Sequence, residues 1–338
     1  MATQLQMRRI AACLALAALI TGGSGCGSDA VEPAPAVKVA KLVQDFENQL
    51  VRVVRTVSPS VVQIQTQAGL GSGVVYDGKG NIVTNAHVVA GATQLTVALA
   101  DGTQEAELVG SFPPGDLAIV RVKDAKATPA TFGDSSKLAV GDFALAIGNP
   151  LGLRSSVTEG IISSLGRTVS EGNGAVISSA IQTSAPINPG NSGGALVDLS
   201  GAVIGVPTLA ALDPQLGGSA APGIGFAIPS NTVKKIADQL IEHGRVVQSG
   251  RAYLGVRVAT IVGGGVLVAA VVPGGPAAKA GIKKGDVIVS IGGKPTPSAD
   301  VLVTVLATLR PGQKVPVEVL HPNAKQETVT VTLGQLRG

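Results

Sequence analysis

The hydrophobic period changes several times along the chain. Ile10 to Ile20 form a continuous apolar run directly behind Arg8 and Arg9, shorter than the roughly 20 apolar residues a membrane-spanning helix takes. From Val39 to Val54, Leu42, Val43, Phe46, Leu50, Val53 and Val54 recur at helical spacing, with Lys41, Gln44, Asp45 and Arg52 between them, and predict one amphipathic helix. From Ser58 to Val206 the period falls to two. Short runs such as Val61-Val62-Gln63-Ile64, Gly73-Val74-Val75-Tyr76, Asn81-Ile82-Val83-Thr84 and Leu95-Thr96-Val97-Ala98-Leu99 are separated by turn residues, among them Asp77-Gly78 and Gly80-Asn81, the pattern of a β-sandwich or barrel. Helical spacing returns from Asn231 to His243, with Val233, Ile236, Leu240 and Ile241 on one face and Gly244 as its stop. Beyond it, strands are predicted over Gly265 to Val271, Val287 to Ile291, Val315 to Leu320 and Glu327 to Leu333. Helices are predicted over Pro276 to Ala280 and Ala299 to Leu309.

Composition narrows what these elements can be. The basic pair, the apolar run and the small residues up to Cys26 have the order of a secretory signal, so residues 1–26 are expected to direct export to the cell envelope, periplasmic or secreted. Gly23-Ser24-Gly25-Cys26 resembles a bacterial lipobox that lacks the usual leucine three places before the cysteine. Cys26 is therefore the candidate lipidation site and a membrane lipid the candidate anchor on the outer face, with simple secretion as the alternative. Residues 27–37, with Pro33 and Pro35, read as a flexible linker. Cys13 and Cys26 are the two cysteines of the chain, so the folded part holds no disulfide and its stability rests on core size. The 338 residues accommodate two domains, drawn at 38–245 and 250–336. Aromatic residues make up 2% of the chain and Trp is absent, which leaves Val, Ile, Leu and Ala to fill the core, a set that suits β structure. The formal charge of +4, half of it from Arg8 and Arg9, is too small an excess to indicate a nucleic-acid partner. No cofactor or metal motif is read in the sequence.

One serine stands between glycines in the β-rich region, in Asn188-Pro189-Gly190-Asn191-Ser192-Gly193-Gly194. A serine hydroxyl becomes a useful nucleophile only with a base in reach and backbone amides aimed at the oxyanion. Gly190 lets the backbone turn so that its amide and that of Ser192 converge, and Gly193 and Gly194 leave room for a carbonyl. A plain Gly/Ser turn and the Gly-x-Ser-x-Gly nucleophile elbow fit the same letters. An elbow requires a helix after the serine. Ala195-Leu196-Val197-Asp198, a Ser200-Gly201 turn and Val203-Ile204-Gly205-Val206 predict a hairpin instead, so the partners of Ser192 are sought upstream. Of three histidines, His243 near the end of a polar helix and His321 in a Pro/Asn turn are expected at the surface, and His87, at the exit of the third strand, is the candidate base. Five aspartates lie between His87 and Ser192. Asp101, Asp124, Asp134 and Asp142 read as turn residues, whereas Asp116 follows Pro113-Pro114-Gly115 and opens the apolar run Leu117-Ala118-Ile119-Val120, where a carboxylate can be both buried and paired.

The order His, Asp, Ser is that of the two-barrel chymotrypsin-like proteases. Thr84 to Val89, Gly115 to Val120, Ala146 to Pro150, Val157 to Gly166, Asn188 to Leu196 and Gly223 to Pro229 together resemble the successive signature blocks of the HtrA family of serine proteases. Tyr253-Leu254-Gly255-Val256 resembles the carboxylate-binding loop of a PDZ domain, and Gly281 to Ile288 its following turn and strand. The resemblance runs from about Val57 to the C-terminus. It implies a mainly β chain, with a chymotrypsin-like double β-barrel protease domain followed by a small α+β PDZ domain. It assigns His87, Asp116 and Ser192 as the triad and the Gly190 and Ser192 amides as the oxyanion hole. It further implies a homo-oligomer, typically a trimer, that cleaves unfolded or misfolded envelope proteins while the PDZ domain takes peptide C-termini as an added strand. A non-catalytic chaperone or scaffold built from the same modules is the alternative.

The sequence departs from the family where Ser184 replaces Asp, Pro186 replaces Ala, Ala195 replaces Pro and Pro207 replaces Asn; Pro207 has no N–H to offer a substrate backbone. Asn191 stands where zymogen-activated relatives carry an aspartate that pairs with a new N-terminus. Activation is therefore expected from ordering of the loops Leu151 to Ser156 and Asp213 to Gly223. Pro186, Ile187 and Val206 are the expected walls of the primary pocket, and no acidic residue lies in Gln182 to Asn191 or Gly205 to Ala211. Cleavage is accordingly expected after Val, Ala or Ile. Mass-spectrometric mapping of product termini checks this, and a predominance of Lys or Arg before the cut would contradict it.

Overall fold

The computed structural model describes residues 40–149, 156–170, 175–188, 190–213, 219–261 and 265–338. The expected signal, the expected linker and Cys26 lie outside these residues, as do 151–155 of one loop expected to order and 214–218 of the other. Helix α1 spans Lys41–Val57, three residues beyond its predicted end. Pro59, within a 3-10 turn at Ser58–Ser60, ends it, because a proline cannot continue the hydrogen-bond ladder.

Strands β1 (Val61–Thr66), β2 (Gly69–Val75), β3 (Asn81–Thr84), β4 (Leu95–Leu99), β5 (Gly102–Glu105), β6 (Glu107–Phe112) and β7 (Leu117–Arg121) form an antiparallel sheet in the order β5-β4-β1-β2-β3-β7-β6. The short helix α2 (Ala86–Val89) follows β3. Strand β2 starts earlier than predicted because Gly69 and Gly71, which carry no side chain to show alternation, still pair with Thr66 and Ile64 of β1. Strands β8 (Phe143–Gly148), β9 (Ser156–Ser170), β10 (Val176–Thr183), β11 (Ala195–Val197), β12 (Val203–Asp213) and β13 (Ser219–Pro229) close a barrel in the order β10-β13-β12-β11-β8-β9. Helix α3 (Ser230–His243) leaves this barrel and ends at left-handed Gly244, whose N–H reaches the Leu240 carbonyl at 2.9 Å.

Period-two alternation divides the apolar residues among three cores. In β7, Leu117 and Ile119 face a core shared by both sheets, while Ala118 and Val120 face the core of the first sheet. In β8, Leu145 and Ile147 join the shared core, while Ala144 and Ala146 point into the barrel with Ile162, Ile181, Leu196 and Ile204. Val53 and Val57 of α1 and Val233, Ile236 and Leu240 of α3 also pack into the shared core. The two sheets are thereby fixed against each other by a mainly aliphatic core in which Phe112 and Phe226 are also buried.

The C-terminal part has its own core. It comprises β14 (Ala252–Tyr253), β15 (Val256–Thr260), β16 (Val266–Val271), β17 (Val287–Ile291), β18 (Lys294–Pro295), β19 (Lys314–Leu320), β20 (Gln326–Thr332) and β21 (Gly334–Gln335), with helices α4 (Pro276–Lys279) and α5 (Ala299–Ala307). Its main sheet runs β15-β16-β17-β19-β20, which among the described residues leaves one side of β15 unpaired, and β14 pairs with β21. Ser298 caps α5 by accepting from the Val301 N–H at 3.3 Å. Arg251 is partly buried against the protease part, where one guanidinium nitrogen donates to the Pro114 carbonyl. Burial pushes its pKa down to about 10.

His321 lies in the turn its sequence implies, partly exposed and paired with two carboxylates. The turn after β19 folds back through a 2.9 Å bond from the His321 N–H to the Lys325 carbonyl. This sets Nδ1 2.8 Å from Asp286 and Nε2 3.3 Å from Glu327, with the side chain 22% exposed. The hydrogen bond to Asp286, reinforced by Glu327, raises the His321 pKa above its ordinary 6.5. A histidine whose folded pKa is raised contributes stability that is fully present below about pH 6.5 and is lost as pH rises through the folded value. Thermal unfolding of the wild type should therefore show a decline above that pH which His321→Gln lacks. Superimposable pH profiles for the two proteins would contradict it.

Candidate active site

The first pair of functional side chains is built by two short irregular segments. After β3 the extended residue Asn85 turns the chain into α2, which presents His87. Asp116 follows the 3-10 turn Pro113–Gly115 in a left-handed conformation, φ 50°, with its N–H on the Pro113 carbonyl at 3.0 Å. For a non-glycine residue this backbone costs on the order of 1 kcal/mol, and cross-links hold it there. Asn85 donates its side-chain amide to the Asp116 carbonyl at 3.0 Å, and the His87 N–H donates to Oδ1 at 2.9 Å. His87 Nδ1 lies 3.0 and 2.9 Å from the two carboxylate oxygens. The Thr208 hydroxyl, from β12 of the other sheet, donates to Oδ2 at 2.6 Å. The carboxylate is 1% exposed, whereas the His87 side chain is 36% exposed. Because a carboxylate accepts at both oxygens, the proton in this contact belongs to Nδ1, which leaves Nε2 as the basic nitrogen.

The other four aspartates do what their turn sequences imply. Asp134 accepts from the Ser136 N–H at 3.0 Å and from Asn231 at 2.7 Å, and the bonds from Ser136 and Asn231 pull its pKa down to about 2. Asp142 accepts from the Ala139 N–H, Asp101 from the Gln104 amide, and Asp124 occupies a left-handed turn position.

The loop carrying Ser192 leads into the hairpin β11–β12, not into a helix, which removes the elbow reading. Asn191 N–H bonds to Asn188 O at 3.0 Å, Gly193 N–H to Pro207 O at 3.0 Å and Gly194 N–H to Asn191 O at 2.9 Å. Among the described residues the Gly190 and Ser192 amides have no internal acceptor. Gly193, at φ 81°, cannot carry a side chain, since a Cβ there would lie 2.2 Å from the Ser72 carbonyl oxygen. The Ser192 hydroxyl itself donates to the Thr208 carbonyl at 2.9 Å. Thr208 thus touches both Asp116 and Ser192. Sequence reasoning missed it, although it is the one hydroxyl in the otherwise apolar stretch Val203 to Ala211.

The residues expected to wall the pocket differ in burial. Pro186 is exposed, Ile187 is buried in the barrel core against Gly225, and Val206 lies wholly in the shared core. Alternation on β12 turns Val206 inward beside Ile228. An open cleft of about 440 Å³ adjoins His87, lined by Val89, Ala90, Leu108 and Pro113 among others. In the C-terminal part, Tyr253 ends β14, Leu254 is buried, Gly255 takes φ 81° and Val256 opens the edge strand β15. A separate cleft of about 160 Å³ lies between this loop and α5, with Val258, Leu302 and Leu306 in its walls.

These two parts define the class: a trypsin-like peptidase domain, matched over residues 71–206, joined to a PDZ domain, matched over residues 252–333. The chain is 43% identical over 279 residues to the periplasmic pH-dependent serine endoprotease DegQ of Escherichia coli, covering 78% of this chain and 59% of DegQ. It is 40% identical over 340 residues to the serine protease PepD of Mycobacterium tuberculosis, covering 93% of this chain and 71% of PepD. Among solved structures, the HtrA-type protease AlgW with a tripeptide aligns at TM-score 0.59 and 38% identity, covering 85% of this chain and 97% of that one. The serine endoprotease from Yersinia pestis aligns at TM-score 0.57 and 37% identity, covering 89% and 100%. The chain belongs to the HtrA family of serine proteases. It spans less than two thirds of the length of DegQ and of DegP from Escherichia coli, 59% and 58%.

Asp116→Asn should leave the fold intact and lower turnover of a peptide substrate by roughly 10⁴-fold through the wrong histidine tautomer. Thr208→Val, which removes one charge-assisted bond of about 1.5 kcal/mol, should lower it about tenfold. Steady-state kinetics on both variants checks the assignment; loss of activity in Asp101→Asn or Asp142→Asn instead would contradict it.

Proposed function

We propose that this protein is a serine endopeptidase of the cell envelope in which Ser192 attacks, His87 acts as general base and then general acid, and Asp116 orients and stabilises the imidazolium. The carrying observation is the buried Asp116 carboxylate, held on His87 Nδ1 from one sheet and on Thr208 from the other, beside a loop whose Gly190 and Ser192 amides remain available. Substrate binding turns the Ser192 hydroxyl from the Thr208 carbonyl to His87 Nε2. The proton passes to Nε2 as Oγ bonds to the scissile carbonyl, and the two amides receive the oxyanion. His87 then returns the proton to the leaving amine, and water hydrolyses the acyl-enzyme by the same route.

Unfolded or misfolded envelope proteins are the proposed substrates, consistent with the periplasmic relatives. The signal over residues 1–26 would export the chain, and Cys26 would tether it. Peptide C-termini are proposed to dock along the free edge of β15, with their carboxylate on the Tyr253 to Val256 loop and an apolar terminal side chain against Val258, Leu302 and Leu306. Arg251 sits at the start of that loop and bonds to Pro114, two residues before Asp116. It gives the PDZ domain a direct contact with the turn that places the catalytic carboxylate. A homo-oligomer, of the trimeric kind the family resemblance implies, is part of the same reading. One observation favours the chaperone alternative as a resting state: the Ser192 hydroxyl is engaged by Thr208.

Turnover of casein and of a short chromogenic peptide should fall by several orders of magnitude in Ser192→Ala and His87→Ala. A peptide with a free apolar C-terminus should raise wild-type turnover severalfold in the full chain and not in a chain ending at Gly250. Undiminished hydrolysis by Ser192→Ala would refute the protease reading, and an equal peptide response in both chains would exclude the PDZ domain as sensor.

A further inference from the structure

We propose that Ser72, in β2 of the first sheet, is a positioning residue that sets the oxyanion-binding loop of the second. The proposal rests on the protease reading above. Ser72 has no exposed surface and is the one polar side chain in Gly69-Leu70-Gly71-Ser72-Gly73-Val74-Val75. Its hydroxyl oxygen accepts the Asn149 N–H at 2.7 Å and donates to the Gly190 carbonyl. Since an amide N–H offers nothing to accept, the single hydroxyl hydrogen is directed to Gly190. The backbone N–H of the same residue donates to the Ser192 carbonyl at 3.0 Å. Its carbonyl accepts the Thr84 hydroxyl at 2.7 Å, three residues before His87.

One residue thus grips the carbonyls of both Gly190 and Ser192, the two residues whose amides are left for the oxyanion. Gly190 takes φ 104°, a region where glycine has wide backbone freedom, so its own conformation does not hold its peptide groups in place. With the Gly190 carbonyl on Ser72 and the Asn191 N–H on Asn188 at 3.0 Å, both ends of the Gly190–Asn191 peptide are held and it cannot turn over. The hydroxyl of Ser72 therefore acts on the geometry of the transition state while touching neither substrate nor His87.

The test compares wild type with Ser72→Ala on a chromogenic peptide, with active sites counted by a serine-directed phosphonate. Affinity is measured in parallel for a peptidyl boronate, whose tetrahedral adduct places an oxygen in the oxyanion site, and for the product peptide as a ground-state probe. Turnover per titrated site should fall about 10- to 100-fold, less than the roughly 10²- to 10³-fold that removal of an oxyanion donor costs, because both amides remain present. Boronate affinity should fall in parallel, while KM, product affinity and the acid limb of the pH profile stay unchanged. A purely structural role would lower the melting temperature or the number of titratable sites and leave turnover per site alone, and that result overturns the proposal. Equal losses of boronate and product affinity overturn it too. Should Ser72→Ala fail to fold, Ser72→Thr retains the hydroxyl and Ser72→Cys substitutes a weak donor; a lower turnover in Cys than in Thr supports the role, and equality refutes it. A wild type that gives no phosphonate adduct removes the protease reading and, with it, this proposal.

Discussion

One buried carboxylate sets the terms for everything around it. Asp116 is 1% exposed, and an ion taken so far from water is tolerated only when its lone pairs are met. The donors come from elements distant in the chain: the His87 backbone and ring behind β3, and the Thr208 hydroxyl on β12, 92 residues away. Neither sheet can shift without stripping a donor from a buried charge, so the alignment of the two sheets and the orientation of the imidazole are one constraint. The hydrophobic core shared by β1, β7, β8, β12, α1 and α3 supplies the rigidity this requires, and the left-handed backbone at Asp116 is sustained by the hydrogen bond from the Asn85 side chain to its carbonyl.

Local chemistry made part of this legible from the residues alone. Pro113-Pro114-Gly115 ahead of an apolar run marked Asp116 as different from four aspartates that sit in ordinary turns, and the Ser200-Gly201 turn announced a hairpin after Ser192. Gly244 ended α3 where expected. The misses have a common cause. Thr208, Ser72 and His321 take their roles from partners across a sheet or a turn, and no local pattern reports which face a β residue presents when glycine or proline interrupts the alternation. Val206 follows Gly205 and precedes Pro207, so its inward orientation is visible only once β12 is placed against β11 and β13. Ser72 hides among glycines for the same reason.

The site combines a formed Asp116–His87 contact with a Ser192 hydroxyl engaged by the Thr208 carbonyl. In the proposed mechanism, turning Ser192 exchanges one hydrogen bond for another of similar strength, so the modest differential binding of a substrate or a PDZ-bound peptide would suffice to convert the resting arrangement. Arg251 and Ser72 are placed to matter in that conversion, one joining the PDZ domain to the Asp116 turn, the other joining the first sheet to the Gly190 loop.

The central claim is that the buried Asp116–His87 pair makes Ser192 a nucleophile. Its most direct measurement is reaction of the full chain with a peptidyl phosphonate across a pH series, with the adduct mapped by mass spectrometry. The expected result is one adduct per chain, on Ser192, with a rate that rises as His87 loses its proton and that collapses in His87→Ala. Absence of an adduct, or an adduct formed equally fast in His87→Ala, would contradict it.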